Sequence, residues 1–149
     1  MTRNDLLEFL RAQPWAVEAS VDGHQPQAAV IGVAVTDNLE LVFDTFVSSR
    51  KASNLRENPR IAVVMGWDNG QTAQIEGVAD EPGGAELERL KLAYVQRFPD
   101  GHDRARLPDI TYFRVSPTWI RYSDFRTTPP TIVVFTGNFE HASAVADYK

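Results

Sequence analysis

The chain has 149 residues, 43% of them hydrophobic and 23% charged, with a formal net charge of −5 at pH 7. That length suits one domain with a sizeable core, and the acidic balance gives no electrostatic basis for binding nucleic acid. There are no cysteines, which excludes disulfides, thiolate metal sites and a cysteine nucleophile and fits a reducing, cytoplasmic setting.

No apolar run approaches the roughly 20 residues that span a bilayer. The start, MTRNDLLEFL, sets acids among its leucines and does not read as a signal peptide. Asn4 to Gln13 is predicted as a short helix, with Asn4 able to cap it and Leu6, Leu7, Phe9 and Leu10 forming one apolar stripe; Pro14 ends it. Trp15 to Val21 reads as a strand and Asp22-Gly23 as a turn. Gln27 to Thr36 is a second strand, in which Gly32 marks a bulge or a close backbone approach. Asp37-Asn38 turns the chain again.

The next stretch, Leu41 to Trp67, organises the rest. Leu41, Phe43 and Thr45 alternate with Val42 and Asp44, as in a half-buried strand. Ser48 or Ser49 can then cap a short helix that carries Arg50, Lys51, Ala52, Leu55 and Arg56. Asn58-Pro59 stops it, because the residue before a proline avoids the α region. Ile61 to Met65 is a run of apolar residues, the pattern of a strand buried on both faces. Hydroxyls, two cations and a helix N-terminus thus meet at the end of a strand, where free N–H groups and the helix dipole favour an anion. Arg50 can grip phosphate oxygens bidentately and Lys51 adds a point charge. The competing reading is a solvated turn with two surface cations.

Asp68-Asn69-Gly70 is a hairpin signal, and Thr72 to Asp80 the strand after it. Pro82-Gly83-Gly84 breaks the chain before a helix over Ala85 to Phe98, whose stripe of Leu87, Leu90, Tyr94 and Phe98 fits covering a barrel better than binding a partner. Pro99 to Pro108 is a polar loop, either solvated or a lid over a ligand. Thr111 to Ser116 and Thr118 to Ser123 are strands around Pro117, with Tyr112, Trp119 and Tyr122 as core or as stacking surfaces. Thr131 to Phe135 is a last strand, and the end from Gly137 carries no pattern. A meander of hairpins points to a barrel or sandwich.

Catalytic signatures are missing. His24, His102 and His141 lie in separate segments with no HxxxH pair, so no metal site is expected. There is no G-x-S-x-G, G-x-G-x-x-G or P-loop pattern. Glu86 and Glu88 sit on a solvated helix face, and no catalytic residue can be named. A domain of this kind leaves the chemistry to a cofactor.

Phe43-Asp44-Thr45, Ser49-Arg50-Lys51, Leu55, Asn58-Pro59 and Trp67 resemble the flavin-binding core of the pyridoxine 5′-phosphate oxidase-like family, strongly over residues 41–80 and more loosely over 5–125. The resemblance implies a mainly β fold, a six-stranded antiparallel split barrel with about three flanking helices. It implies one domain over residues 1–149, with a core at 5–125 and a C-terminal extension at 126–149. It also implies FMN bound at a homodimer interface and a small-molecule substrate, with no nucleic acid or membrane partner. Carried over by motif, Ser49, Arg50 and Lys51 are phosphate ligands. Thr45 and Asp44 lie near the ribityl chain and ring, and Gln74 approaches the flavin from the next hairpin. Trp67 matches only as a structural aromatic.

Three departures from the family's vitamin-B6 oxidases stand out. Val30 to Val35 is apolar where they carry an Arg and a Lys; Asp44 stands where they have an aromatic; and their C-terminal Arg-x-His motif has no match. The expectation is therefore an FMN-dependent oxidoreductase that does not oxidise pyridoxamine phosphate. The alternatives are a deazaflavin-dependent reductase, with Arg104 and Arg106 as the extra cations, or a non-enzymatic flavin-binding or stress-response protein.

Overall fold

In the computed structural model, which describes residues 1–145, the chain is mainly antiparallel sheet with flanking helices. Helix α1 (Arg3–Ala12) begins before Asn4, and its cap is Thr2. Thr2 Oγ1 accepts from the Asp5 amide at 3.2 Å while the Asp5 carboxylate accepts from the Thr2 amide at 2.6 Å. This reciprocal capping box satisfies two donors where Asn4 alone would satisfy one. Leu6 and Leu10 then enter the main core.

The strands are β1 (Trp15–Asp22), β2 (Gln25–Gly32), β3 (Ala34–Val35), β4 (Leu41–Phe46), β5 (Arg60–Met65), β6 (Gln71–Asp80), β7 (Ile110–Asp124), β8 (Thr131–Thr136) and β9 (Ala142–Ala144). They form one sheet in the order β2-β1-β5-β6-β7-β4-β3, with β8 added to β7 and β9 to β8. The sheet has nine strands, not the expected six. One reason is that the expected strand over Gln27 to Thr36 changes partners: β2 pairs with β1, β3 pairs with β4, and only Val33 lies between them. A Cβ on Gly32 would stand 3.1 Å from the Phe98 ring, so the switch falls where a side chain is missing. The two ends of the path are therefore neighbours in the chain, and six lanes of strand close into a barrel. The other reason is that β8 and β9 add the C-terminal segment to the outer half of β7.

Strand β7 is continuous through Pro117, and its register against β6 shifts between Glu76 and Gly77. A Cβ on Gly77 would lie 2.6 Å from the Ser116 carbonyl, so the bulge requires glycine. Helix α3 (Gly84–Arg97) sets Leu90 and Tyr94 against Val42 and Tyr112 in a second core. This is why Val42 is buried rather than exposed by alternation. Tyr112 and Tyr122 are both buried.

Strand β5 differs from the sequence expectation. Ile61, Val63 and Met65 face the core, but Ala62 and Val64 are exposed on the outer face. The run is apolar on both sides although this chain covers only one. Among the described residues, no helix is long and apolar enough to cross a membrane.

Candidate functional site

Strand β4 ends at Phe46, and the chain turns into helix α2 (Arg50–Glu57). Ser49 is the cap: its Oγ accepts from the Ala52 amide at 3.2 Å and from the Thr45 hydroxyl at 3.0 Å. Helix geometry leaves the first amides, those of Arg50 and Lys51, without intrahelical acceptors. The first turn of α2 holds no acid, whereas α1 has Asp5 and α3 has Glu86 there. Two cations at a positive helix end disfavour the helix unless an anion sits between them. Arg50 is exposed and Lys51 half-buried, and among the described residues neither enters an ion pair.

Lys51 stands between two cavities. One, of about 210 Å³, is lined by Glu18, Ser20, Gln27, Arg50 and Lys51 together with Ala28 and Ala29. The other, of about 320 Å³, is lined by Trp15, Val30, Gly32, Asp44, Lys51 and Phe98 among others. The first is polar and the second has an aromatic and aliphatic rim. Asn54 ties α2 to this floor, donating to Ser20 Oγ at 3.1 Å and to Gln27 Oε1 at 3.0 Å.

Asp44 lines the second cavity but turns its carboxylate to α3 and to the one-turn helix α4 (Gly101–Arg104). The Tyr94 hydroxyl donates to it at 2.8 Å and Arg104 Nε at 3.1 Å. Burial, and then the Asp44 charge, push the Tyr94 phenol well above its ordinary value, so it stays a donor. Arg104 also binds Asp100 at 3.0 Å. It is fully engaged and is not a free cation for a longer anionic cofactor. Arg106 is exposed and lines neither cavity. The Pro99 to Pro108 loop therefore touches the second cavity through Asp100 and Arg104.

Of the residues singled out in the sequence, Thr45, Ser49, Arg50 and Lys51 come together at one helix end, and Asp44 lies beside Lys51. Gln74 does not join them. It is exposed on β6, in a row that runs Val30, Val17, Val64, Gln74 across four strands. Three strand spacings, about 14 Å, separate it from Val30 at the cavity edge. Sequence reasoning missed Glu18. It is 1% exposed, and its Oε2 is buried without a partner. Burial pushes its carboxyl up, against smaller opposing pulls from Lys51 and Ser20. The signal was available: Glu18 shares inward register with Ala16 and Ser20, so an acid occupies an interior position.

The family model for pyridoxamine 5′-phosphate oxidase matches residues 3–124. The chain belongs to the pyridoxamine 5′-phosphate oxidase family. A pyridoxamine 5′-phosphate oxidase-related, FMN binding protein from Nostoc punctiforme PCC 73102 superposes with a TM-score of 0.76 at 14% identity, over 99% of this chain and 97% of that one. A heme binding protein from Mycobacterium smegmatis gives 0.70 at 14% identity, over 93% of this chain and 55% of that one. A heme storage protein from Vibrio cholerae gives 0.68 at 19% identity, over 78% and 89%. At such identities these neighbours share the fold alone. No curated protein matches the sequence.

Proposed function

We propose that this member of the pyridoxamine 5′-phosphate oxidase family binds FMN and serves as a flavin-dependent oxidoreductase, working as a homodimer on a small molecule. The observation that carries the reading is the N-terminus of α2, where two amides, Arg50 and Lys51 face cavity space with no protein anion in the first turn. The residues present fit the cofactor part by part. Arg50, Lys51, the Ser49 hydroxyl and the helix end suit a phosphate. The Glu18, Ser20 and Gln27 side chains suit hydroxyls. The apolar rim of Trp15, Val30 and Phe98 suits one face of a flat ring. When bound, FMN supplies hydride and electron transfer. The chain's own residues hold the phosphate, orient the ring and shield it from water. No histidine lines either cavity, so nothing here favours heme.

The homodimer rests on the outer face of β1, β2, β5 and β6. Val30 is 66% exposed, Val78 45% and Val64 39%, and Ala62 lies between them. Apolar side chains in a central part of a sheet mark an association surface. Gln74 belongs to this face, and we assign it to the cofactor held by the partner subunit.

The test is the visible spectrum of the purified chain after incubation with FMN and desalting, repeated on an Arg50→Ala, Lys51→Ala double variant. The wild type retains about one flavin per chain, and the double variant binds it at least about tenfold more weakly through loss of charge-assisted bonds. Equal affinity in the two proteins removes this site, and a wild type that holds no flavin removes the reading.

A further inference from the structure

The feature left unexplained by a phosphate site is Glu18. An acid beside an anion site is unfavourable in itself, and this one is also desolvated and half-satisfied. Its Oε2 has no hydrogen-bond partner, although the residue lines the cavity of about 210 Å³ between β1, β2 and the start of α2. Leaving a buried carboxylate oxygen unpaired costs free energy that a leucine of similar size would not incur. The neighbouring polar groups relieve it only in part: Ser20 and Lys51 pull against the burial, but neither gives Oε2 a hydrogen bond. Asn54 spends both bonds of its amide nitrogen on Ser20 and Gln27, and Lys51 stays beyond ion-pair distance.

Charge on the cavity wall defines what could relieve it. Arg50, Lys51 and the first amides of α2 accept an anion. Glu18 accepts a hydrogen-bond donor on the same cavity wall. One molecule meeting both demands carries an anionic group and, on the next carbon of its chain, a hydroxyl.

We propose that Glu18 is a specificity-determining residue of this site, accepting a hydrogen bond from a hydroxyl next to the phosphate of a phosphorylated polyol. This rests on the reading that the site binds FMN, whose phosphate ends such a polyol arm, and it adds a residue that discriminates the arm from a bare phosphate. The device makes the ligand complete the interior of the protein. The free chain keeps an orphaned carboxylate, and the bound chain does not.

The experiment compares full-length wild type, Glu18→Leu and Glu18→Gln without ligand and with FMN, ribitol 5-phosphate or inorganic phosphate. Unfolding is followed by calorimetry and binding by titration. Without ligand, Glu18→Leu melts at or above the wild-type temperature, because the unpaired carboxylate is gone. It binds FMN and ribitol 5-phosphate at least about tenfold more weakly, the loss of a hydrogen bond to a charged acceptor, and binds inorganic phosphate as the wild type does. Glu18→Gln keeps the volume and an acceptor, folds, and loses about threefold on the same two ligands, a neutral bond replacing a charged one. Unchanged affinity for both polyol phosphates in either variant overturns the proposal, and so does an equal loss on inorganic phosphate. A wild type that binds ribitol 5-phosphate in a Glu18-dependent way but not FMN sinks the flavin reading and leaves Glu18 in its role. A wild type that binds neither sinks both.

Discussion

Asp44 shows how a single residue can look wrong for a site and still belong beside it. An acid next to a phosphate pocket repels the ligand, but Arg104 and Tyr94 draw this carboxylate away from Lys51 and neutralise it. The sequence placed the acid and could not reveal its direction, because Arg104 lies on α4, sixty residues further on. Glu18 was legible only in part: its inward register beside Ala16 and Ser20 is in the sequence, but its missing partner is a matter of tertiary structure. The meeting of Ser49, Arg50 and Lys51 at one helix end was legible because it depends on neighbours in the chain. Another carboxylate gives a test of the structure itself. Asp124 accepts from Arg126 through Nε at 2.9 Å, through the second guanidinium nitrogen at 2.6 Å and through the amide at 3.0 Å. These bonds pull its pKa down from 3.8 to about 2. A depressed folded-state pKa means that the pair stabilises the protein fully above the unfolded value and stops doing so as pH falls through the folded one. Melting curves of wild type and Asp124→Asn should therefore differ by a constant amount near neutrality and converge between pH 3.8 and about 2. A gap that persists to the acid end would show that the pair carries no proton-linked stability.

At the scale of elements, α2 does two jobs with one cap. The Ser49 hydroxyl closes the helix and accepts a hydrogen bond from the Thr45 hydroxyl, so strand and helix are joined at the point where the proposed anion site opens. Ser49→Ala should cost about 1 kcal/mol of stability, the usual worth of such a cap. It should also weaken FMN binding, whereas Ser49→Thr should restore both; chemical denaturation and flavin titration on the three proteins decide it. Elements with strong local signals were readable: the hairpin at Asn69-Gly70, where Gly70 has φ +65°, and the stop at Asn58-Pro59. Elements defined by a distant partner were not. The strand through Gly32 splits because its far end has to reach β4. Ala142–Ala144 has no sequence signature of a strand and becomes one by lying along β8.

For the whole molecule, the hairpins pointed to a barrel or sandwich, the resemblance chose the barrel, and β8 was readable at Thr131 to Phe135, while the closure and β9 needed tertiary pairing. The misread of β5 is informative here. Ile61 to Met65 is apolar enough for burial on both faces, yet Val64 stands exposed in the middle of the sheet. The homodimer proposed above, with its second copy on that face, would reconcile the two. Val64→Glu should then convert a dimer to monomers and lose flavin with it, as read by sedimentation velocity with absorbance in the flavin band. On a monomer the same change would alter stability by less than about 0.5 kcal/mol, the usual range for surface positions. A Val64→Glu protein that sediments with the wild type, flavin retained, would argue against this face.

The closure of the barrel also sets an order of events in time. Strand β4 is made early, but Leu41 pairs with Val115 and Phe46 with Ile110. The ring cannot shut until β7 has been synthesised. Until then the helix end that would hold an anion is attached to a strand with no partner on that side, and the valines of the outer face are bare. Long-range pairing of this kind slows folding and prolongs exposure of sticky intermediates. A ligand that clamps α2 to β1 and β2 would act on the nascent chain as well as the finished one, so supplying the cofactor during synthesis should raise the yield of folded protein more than adding it afterwards.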